Sequence, residues 1–128
     1  MGASSVRLTV VVVDDDGDIR RAMGRSLRSL GHDVHLFESG EAYLSQRCEA
    51  DCAIVDIGLP GVSGLEMEAR IRQSGSGMPI VFVTGHDDLA QRAKRTTPMP
   101  VLKKPLDEDD LLDAIALVTG HIPEGGAR

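Results

Sequence analysis

The chain has 128 residues, 20 acidic against 14 basic, and a formal net charge of -6 with a pI near 5.1. That is the size of one domain, and the wrong sign for direct binding to nucleic acid or to an anionic membrane. Cys48 and Cys52 stand C-x3-C with no second ligand pair, no secretory apolar segment opens the sequence, and no apolar run approaches a membrane span, so free thiols in a reducing, cytoplasmic compartment are expected.

In chain order, Leu8 to Val13 form a continuous apolar run of strand length. Ile19, Met23, Leu27 and Leu30 then share one helical face, closed by Gly31. "DVHLF" predicts a short strand, and Ser39 caps a helix through Ala42, Tyr43 and Leu44. "CAIVD" predicts a buried strand ending in Asp56. "IGLPGVSG" demands a loop, and a helix carrying Leu65, Ala69 and Ile71 follows. "PIVFVT" is another uninterrupted apolar strand. Residues 87–95 read as weakly helical, "PVLK" as a short strand, and Leu111, Ile115 and Val118 as a last helix capped by Asp107. Residues 1–5 are expected to be a flexible N-terminus, 6–120 the domain, and 121–128, "HIPEGGAR", a flexible tail or linker.

Strand and helix alternate throughout, which predicts (βα)5. Runs apolar on both faces belong in a parallel sheet covered on each side, a doubly wound three-layer α/β fold whose ligands bind at the carboxyl ends of the strands. The polar residues at those ends are therefore gathered on one edge. Asp14, Asp15 and Asp16 end the first strand, Asp56 the third and Thr84 the fourth, and Lys104 follows the fifth. Carboxylates crowded in this way repel and raise one another's pKa, so they require a cation, a shared proton or open water.

"VVVDDD", "AIVDIGLPGVSG", "VFVTGHDD" and "LKKPL", in this order, resemble the response regulator receiver domain of two-component signalling, a flavodoxin-like (βα)5 family. The resemblance implies that Asp56 is the phospho-acceptor and that Asp14 and Asp15 are the acidic pair holding magnesium. It implies further that Thr84 is the switch hydroxyl, Lys104 the phosphate-contacting lysine, and the Gly58 backbone carbonyl the remaining protein ligand. The chemistry agrees. Phosphoryl transfer needs an oxygen nucleophile, a divalent cation and fixed positive charge, and magnesium prefers a few carboxylates with retained waters. Pro105 after Lys104 invites a cis bond that aims the lysine inward. Of the open alternatives for the crowded acids, the resemblance selects the cation.

The implied function is a phosphorelay switch rather than an enzyme. A sensor histidine kinase or histidine phosphotransfer protein phosphorylates Asp56, and the face made by helix four, strand five and helix five changes; the receiver assists transfer and later hydrolysis. The alternative is a degenerate receiver working as an unphosphorylated interaction module. A phosphatase of the aspartyl-phosphate type would need an acid where Gly58 stands. Asp16 and Asp18 read as cap or solvent, Lys103 as surface, and "DEDD" at 107–110 as a cap with dipole partners. His32, His35 and His121 have no ligand spacing, and His86 borders the pocket with its role open. Two departures from the family concern output. Val101 stands where the family usually has Tyr or Phe, and the Thr84–Lys104 interval is short, so helix four should be short or displaced and weakly held. The response is then expected as a backbone change over residues 85–99.

Overall fold

A computed structural model describes residues 7–120. The expected flexible stretches 1–5 and 121–128, with His121, lie outside the described residues. The ten elements are β1 (Thr9–Val13), α1 (Gly17–Ser29), β2 (Asp33–Phe37), α2 (Gly40–Gln46), β3 (Cys52–Asp56), α3 (Gly64–Gln73), β4 (Ile80–Thr84), α4 (Asp87–Thr96), β5 (Val101–Lys103) and α5 (Glu108–Thr119). The sheet is wholly parallel with order β2-β1-β3-β4-β5, the flavodoxin-like doubly wound arrangement expected from the sequence.

The apolar runs are continuous because both faces of the sheet are covered. Val11, Val13, Ala53, Val55, Ile80 and Phe82 point to one layer, where Tyr43 of α2, Met67 and Ile71 of α3 and Ala93 of α4 meet them. Val10, Val12, Ile54, Val81 and Val83 point to the other, against Met23 and Leu27 of α1 and Leu111, Ala114 and Ile115 of α5. Residues alternate between layers at the strand period of two, so a one-residue slip of register would exchange the two cores. The observed register sets Val13 beside Phe37 and Val55, and Asp56 beside Val83. The ends of β1, β3 and β4 are thereby level, at the point where the order reverses between β1 and β3.

Caps fix where the helices begin. The side chains of Asp16, Ser39, Ser63 and Asp107 each accept a backbone N–H from the first turn of α1, α2, α3 and α5 respectively, satisfying donors that have no partner inside the helix. Cys48 is half-buried and Cys52 buried, and both are free thiols. Among the described residues no helix is long and apolar enough to cross a membrane.

Two expectations need correction. Of the apolar residues that the sequence places on α3, Leu65 and Ile71 pack on the core together with Met67, whereas Ala69 is exposed; an alanine is small enough to stand on either face. Helix α4 is not short: at 10 residues it equals α3. The reduced interval is taken up after the helix, where residues 97–100 run directly into a strand of only three residues.

Candidate functional site

The edge formed by the carboxyl ends of β1 and β3 carries the acids. Asp14 continues β1, its N–H donating to the Phe37 carbonyl at 3.2 Å, and its side chain is fully buried. The Asp14 Oδ1 accepts the Asp16 N–H at 2.9 Å, a tight turn that leaves Asp15 exposed at the mouth. Asp16 faces away and caps α1, while Asp18 pairs with Arg21. Asp56 is 7% exposed, and its Oδ1 accepts the Gly58 N–H at 3.0 Å. Behind it, a Cβ at Gly64 would sit 2.6 Å from the Asp56 carbonyl oxygen, so only glycine lets α3 start directly against the acid's backbone.

One carboxylate oxygen from each of Asp14, Asp15 and Asp56 lies within 4.8 Å of the others. Lys104 reaches in from β5, its Nζ 2.9 Å from Asp14 Oδ2 and 3.2 Å from Asp56 Oδ2. The contact with Asp14 has ion-pair distance without hydrogen-bond alignment, and that buried oxygen is left with no hydrogen-bond partner. Burial pushes the Asp14 carboxyl above the ordinary carboxylate value, more than Lys104 and the Asp16 N–H pull it down. For Lys104, burial works against the ammonium, but Asp14 and Asp56 together outweigh it and hold the group above its usual value.

This donor set fits magnesium. Its donor atoms are all hard oxygens, Asp14 holds a buried carboxylate oxygen that no hydrogen bond satisfies, and the exposed Asp15 carboxylate leaves an open side for retained waters.

The other candidates lie along the same edge. Thr84 is fully buried, its Oγ1 accepting the His86 N–H at 3.1 Å and its carbonyl the Lys104 N–H at 2.8 Å. His86 is the exposed N-cap of α4, makes no side-chain cap and stands outside the acid cluster. Lys103 is exposed and bonds Asp87 in the first turn of α4. The Lys104–Pro105 peptide is cis. Val101 lies opposite Phe82 and packs on the α2–α4 layer of the core.

Sequence reasoning missed several polar contacts at this edge and on the helices that lead away from it. Arg20 Nη1 donates to the Asp14 carbonyl at 2.7 Å, pinning the peptide that leads into Asp15. Glu41 Oε2 accepts the Val62 N–H at 3.2 Å, and the buried Glu68 accepts from Thr97 Oγ1 at 3.3 Å while pairing with Arg72 at 3.0 Å. Only the Glu68–Arg72 spacing of four residues is a sequence signal; the other partners are brought together by topology.

The response regulator receiver domain model matches residues 10–116, and the chain belongs to that family. Nodulation protein W of Bradyrhizobium diazoefficiens is 33% identical over 120 residues, 91% of this chain and 53% of that protein. Response regulator protein TmoT of Ectopseudomonas mendocina is 34% identical over 119 residues, 90% of this chain and 54% of that one. The chain thus spans about half the length of these curated relatives. Among solved structures, response regulator StyR has a TM-score of 0.79 at 36% identity, over 88% of this chain and 59% of its own. A response regulator receiver protein from Burkholderia phymatum has a TM-score of 0.75 at 32% identity, over 88% and 95%. As a receiver domain of two-component response regulators, the chain belongs to a signalling family.

Proposed function

We propose that this receiver accepts a phosphoryl group on Asp56, with magnesium, from the phosphohistidine of a sensor histidine kinase or a histidine phosphotransfer protein. The observation that carries the reading is the convergence of one oxygen from each of Asp14, Asp15 and Asp56 with the Lys104 ammonium between Asp14 and Asp56. A carboxylate oxygen of Asp56 attacks phosphorus. The P–O bond forms as the P–N bond breaks, and the electron pair returns to the imidazole. Asp14, Asp15, Asp56 and the Gly58 carbonyl would hold the metal, which would supply positive charge to the transferred phosphoryl oxygens. Lys104 supplies fixed positive charge to the same oxygens, and Thr84 supplies the hydroxyl that reads the phosphate.

An apolar groove of about 380 Å³ between α1 and α5 supports docking of the histidine-bearing partner, since Lys104 lines it together with Ile19, Met23, Pro105, Leu106 and Leu111. The phosphate then alters the face formed by α4, β5 and α5, and water later hydrolyses the acyl phosphate with the receiver's own residues assisting. Two free cysteines suit a cytoplasmic protein.

The test has two arms. Magnesium in the millimolar to sub-millimolar range should raise the melting temperature by mass action, and Asp15→Asn should abolish the gain. With magnesium and a small phosphodonor, intact mass should increase by one phosphoryl group. A chain that binds neither metal nor phosphoryl group is the degenerate interaction module instead.

A further inference from the structure

The loop from Ile57 to Ser63 carries Gly58 and is shaped by more than its own sequence. Its ends close on each other through the Gly64 N–H and the Ile57 carbonyl at 3.1 Å, and Ile57, Leu59 and Val62 are buried beneath it. Its far side rests on the first turn of α2. There Glu41 Oε2 accepts the Val62 N–H at 3.2 Å. Gly61 adopts φ +74, and a Cβ on it would stand 2.2 Å from Glu41 Oε2; Gly40 is seated as closely, its would-be Cβ 3.1 Å from the Val62 carbonyl oxygen. The carboxylate of Glu41 therefore occupies the space that the loop's glycine leaves open.

We propose that Glu41 is a positioning residue for the metal, holding the Gly58–Val62 turn in the conformation that offers the Gly58 carbonyl to the cluster of Asp14, Asp15 and Asp56. The proposal rests on the reading of that cluster as a magnesium site. A residue that orients a ligand without touching the ion typically changes metal affinity about tenfold or more when removed. Glu41 has this relation to Gly58: it bonds the same short loop from a different element, through a backbone group, and without being within the acid cluster. A competing role is also physically sound. An acid in the first turn of a helix interacts favourably with the helix dipole, and α2 has Glu41 as its first-turn acid.

Two conservative variants separate these roles because they exchange reach for charge. Glu41→Gln keeps the length and an acceptor oxygen but loses the charge; Glu41→Asp keeps the charge but is one methylene too short. The magnesium midpoint is read from melting temperature against metal concentration, for wild type, both variants and Asp15→Asn. Positioning gives a midpoint for Glu41→Asp raised about tenfold and one for Glu41→Gln within about twofold of wild type. A dipole role gives the reverse order in metal-free melting temperature and unmoved midpoints in both variants, which would overturn the proposal. If wild type itself ignores magnesium, the acid-cluster reading fails and takes this one with it. A wild-type response abolished by Asp15→Asn alone leaves the metal site standing and rejects Glu41.

Discussion

The acid edge and the α4 region are both built from strand ends and first turns, yet they are held differently. At the acid edge, Asp14 and Asp56 are fixed by the sheet: Asp14 bonds the Phe37 carbonyl and Asp56 pairs in register with Val83. Helix α4 has only Ala90 and Ala93 buried, with Leu89 partly so, and small side chains gain little from burial. What it lacks in apolar contact is supplied by side-chain bonds at its two ends, Lys103 to Asp87 and Glu68 to Thr97. Backbone pairing therefore fixes one region, whereas the other is held at its two ends by replaceable side chains.

The largest effect is expected where charge is buried. Lys104→Met leaves the buried Asp14 carboxylate without its cation, a change that costs about 3 kcal/mol in denaturant unfolding without magnesium. Asp14→Asn in that background should recover most of it. A loss below about 0.5 kcal/mol would mean that solvent, not Lys104, compensates the acid.

Thr97→Val should cost less, about 1–2 kcal/mol, by removing the hydroxyl between Glu68 and the Met99 N–H. Its value lies in hydrogen exchange. With an acyl-phosphate mimic, wild type should change protection over 85–99, more strongly before residue 94 than after it, because Thr97 anchors the far end. In Thr97→Val the change should extend to residue 100. A response confined to α1 and α2 would contradict this division of the molecule.

A smaller effect belongs to the opposite edge of the sheet. The Leu8 N–H donates to His32 Nδ1 at 3.1 Å, a bond that requires neutral imidazole, and burial holds the His32 pKa below its ordinary 6.5. The unfolded chain then binds a proton more readily than the folded one, so the stability is fully present above pH 6.5 and is lost as pH falls below it. Melting temperature should decline from there in wild type and less steeply in His32→Gln. The mildest expectation concerns thiols. Burial pushes Cys52 up to about 12, so at pH near 8 a maleimide should modify only the half-buried Cys48 until the protein unfolds.

How much of this was legible follows the same division. Asp14, Asp15, Asp56, Thr84 and Lys104 could be read from the sequence because each sits at or just beyond the end of an apolar strand, and parallel alternation puts all such ends on one edge. Met67 does not stand out in the sequence because Leu65, Ala69 and Ile71 already offer apolar positions along α3. Arg20, Glu41 and Thr97 act on main-chain atoms or side chains 6, 21 and 29 residues away, and no local pattern predicts such a meeting. The length of α4 does not follow from the short Thr84–Lys104 interval, because the missing residues come out of the segment between the helix and β5 and not out of the helix.

Mapping the phosphoryl group by peptide mass tests the central claim most directly, with wild type and Asp56→Asn treated with magnesium and a small phosphodonor. The wild-type modification should fall in the peptide containing Asp56 and be lost on chelation, and Asp56→Asn should take up none. A phosphorylated Asp56→Asn, or wild-type uptake indifferent to magnesium, would show that the nucleophile or the metal has been assigned wrongly.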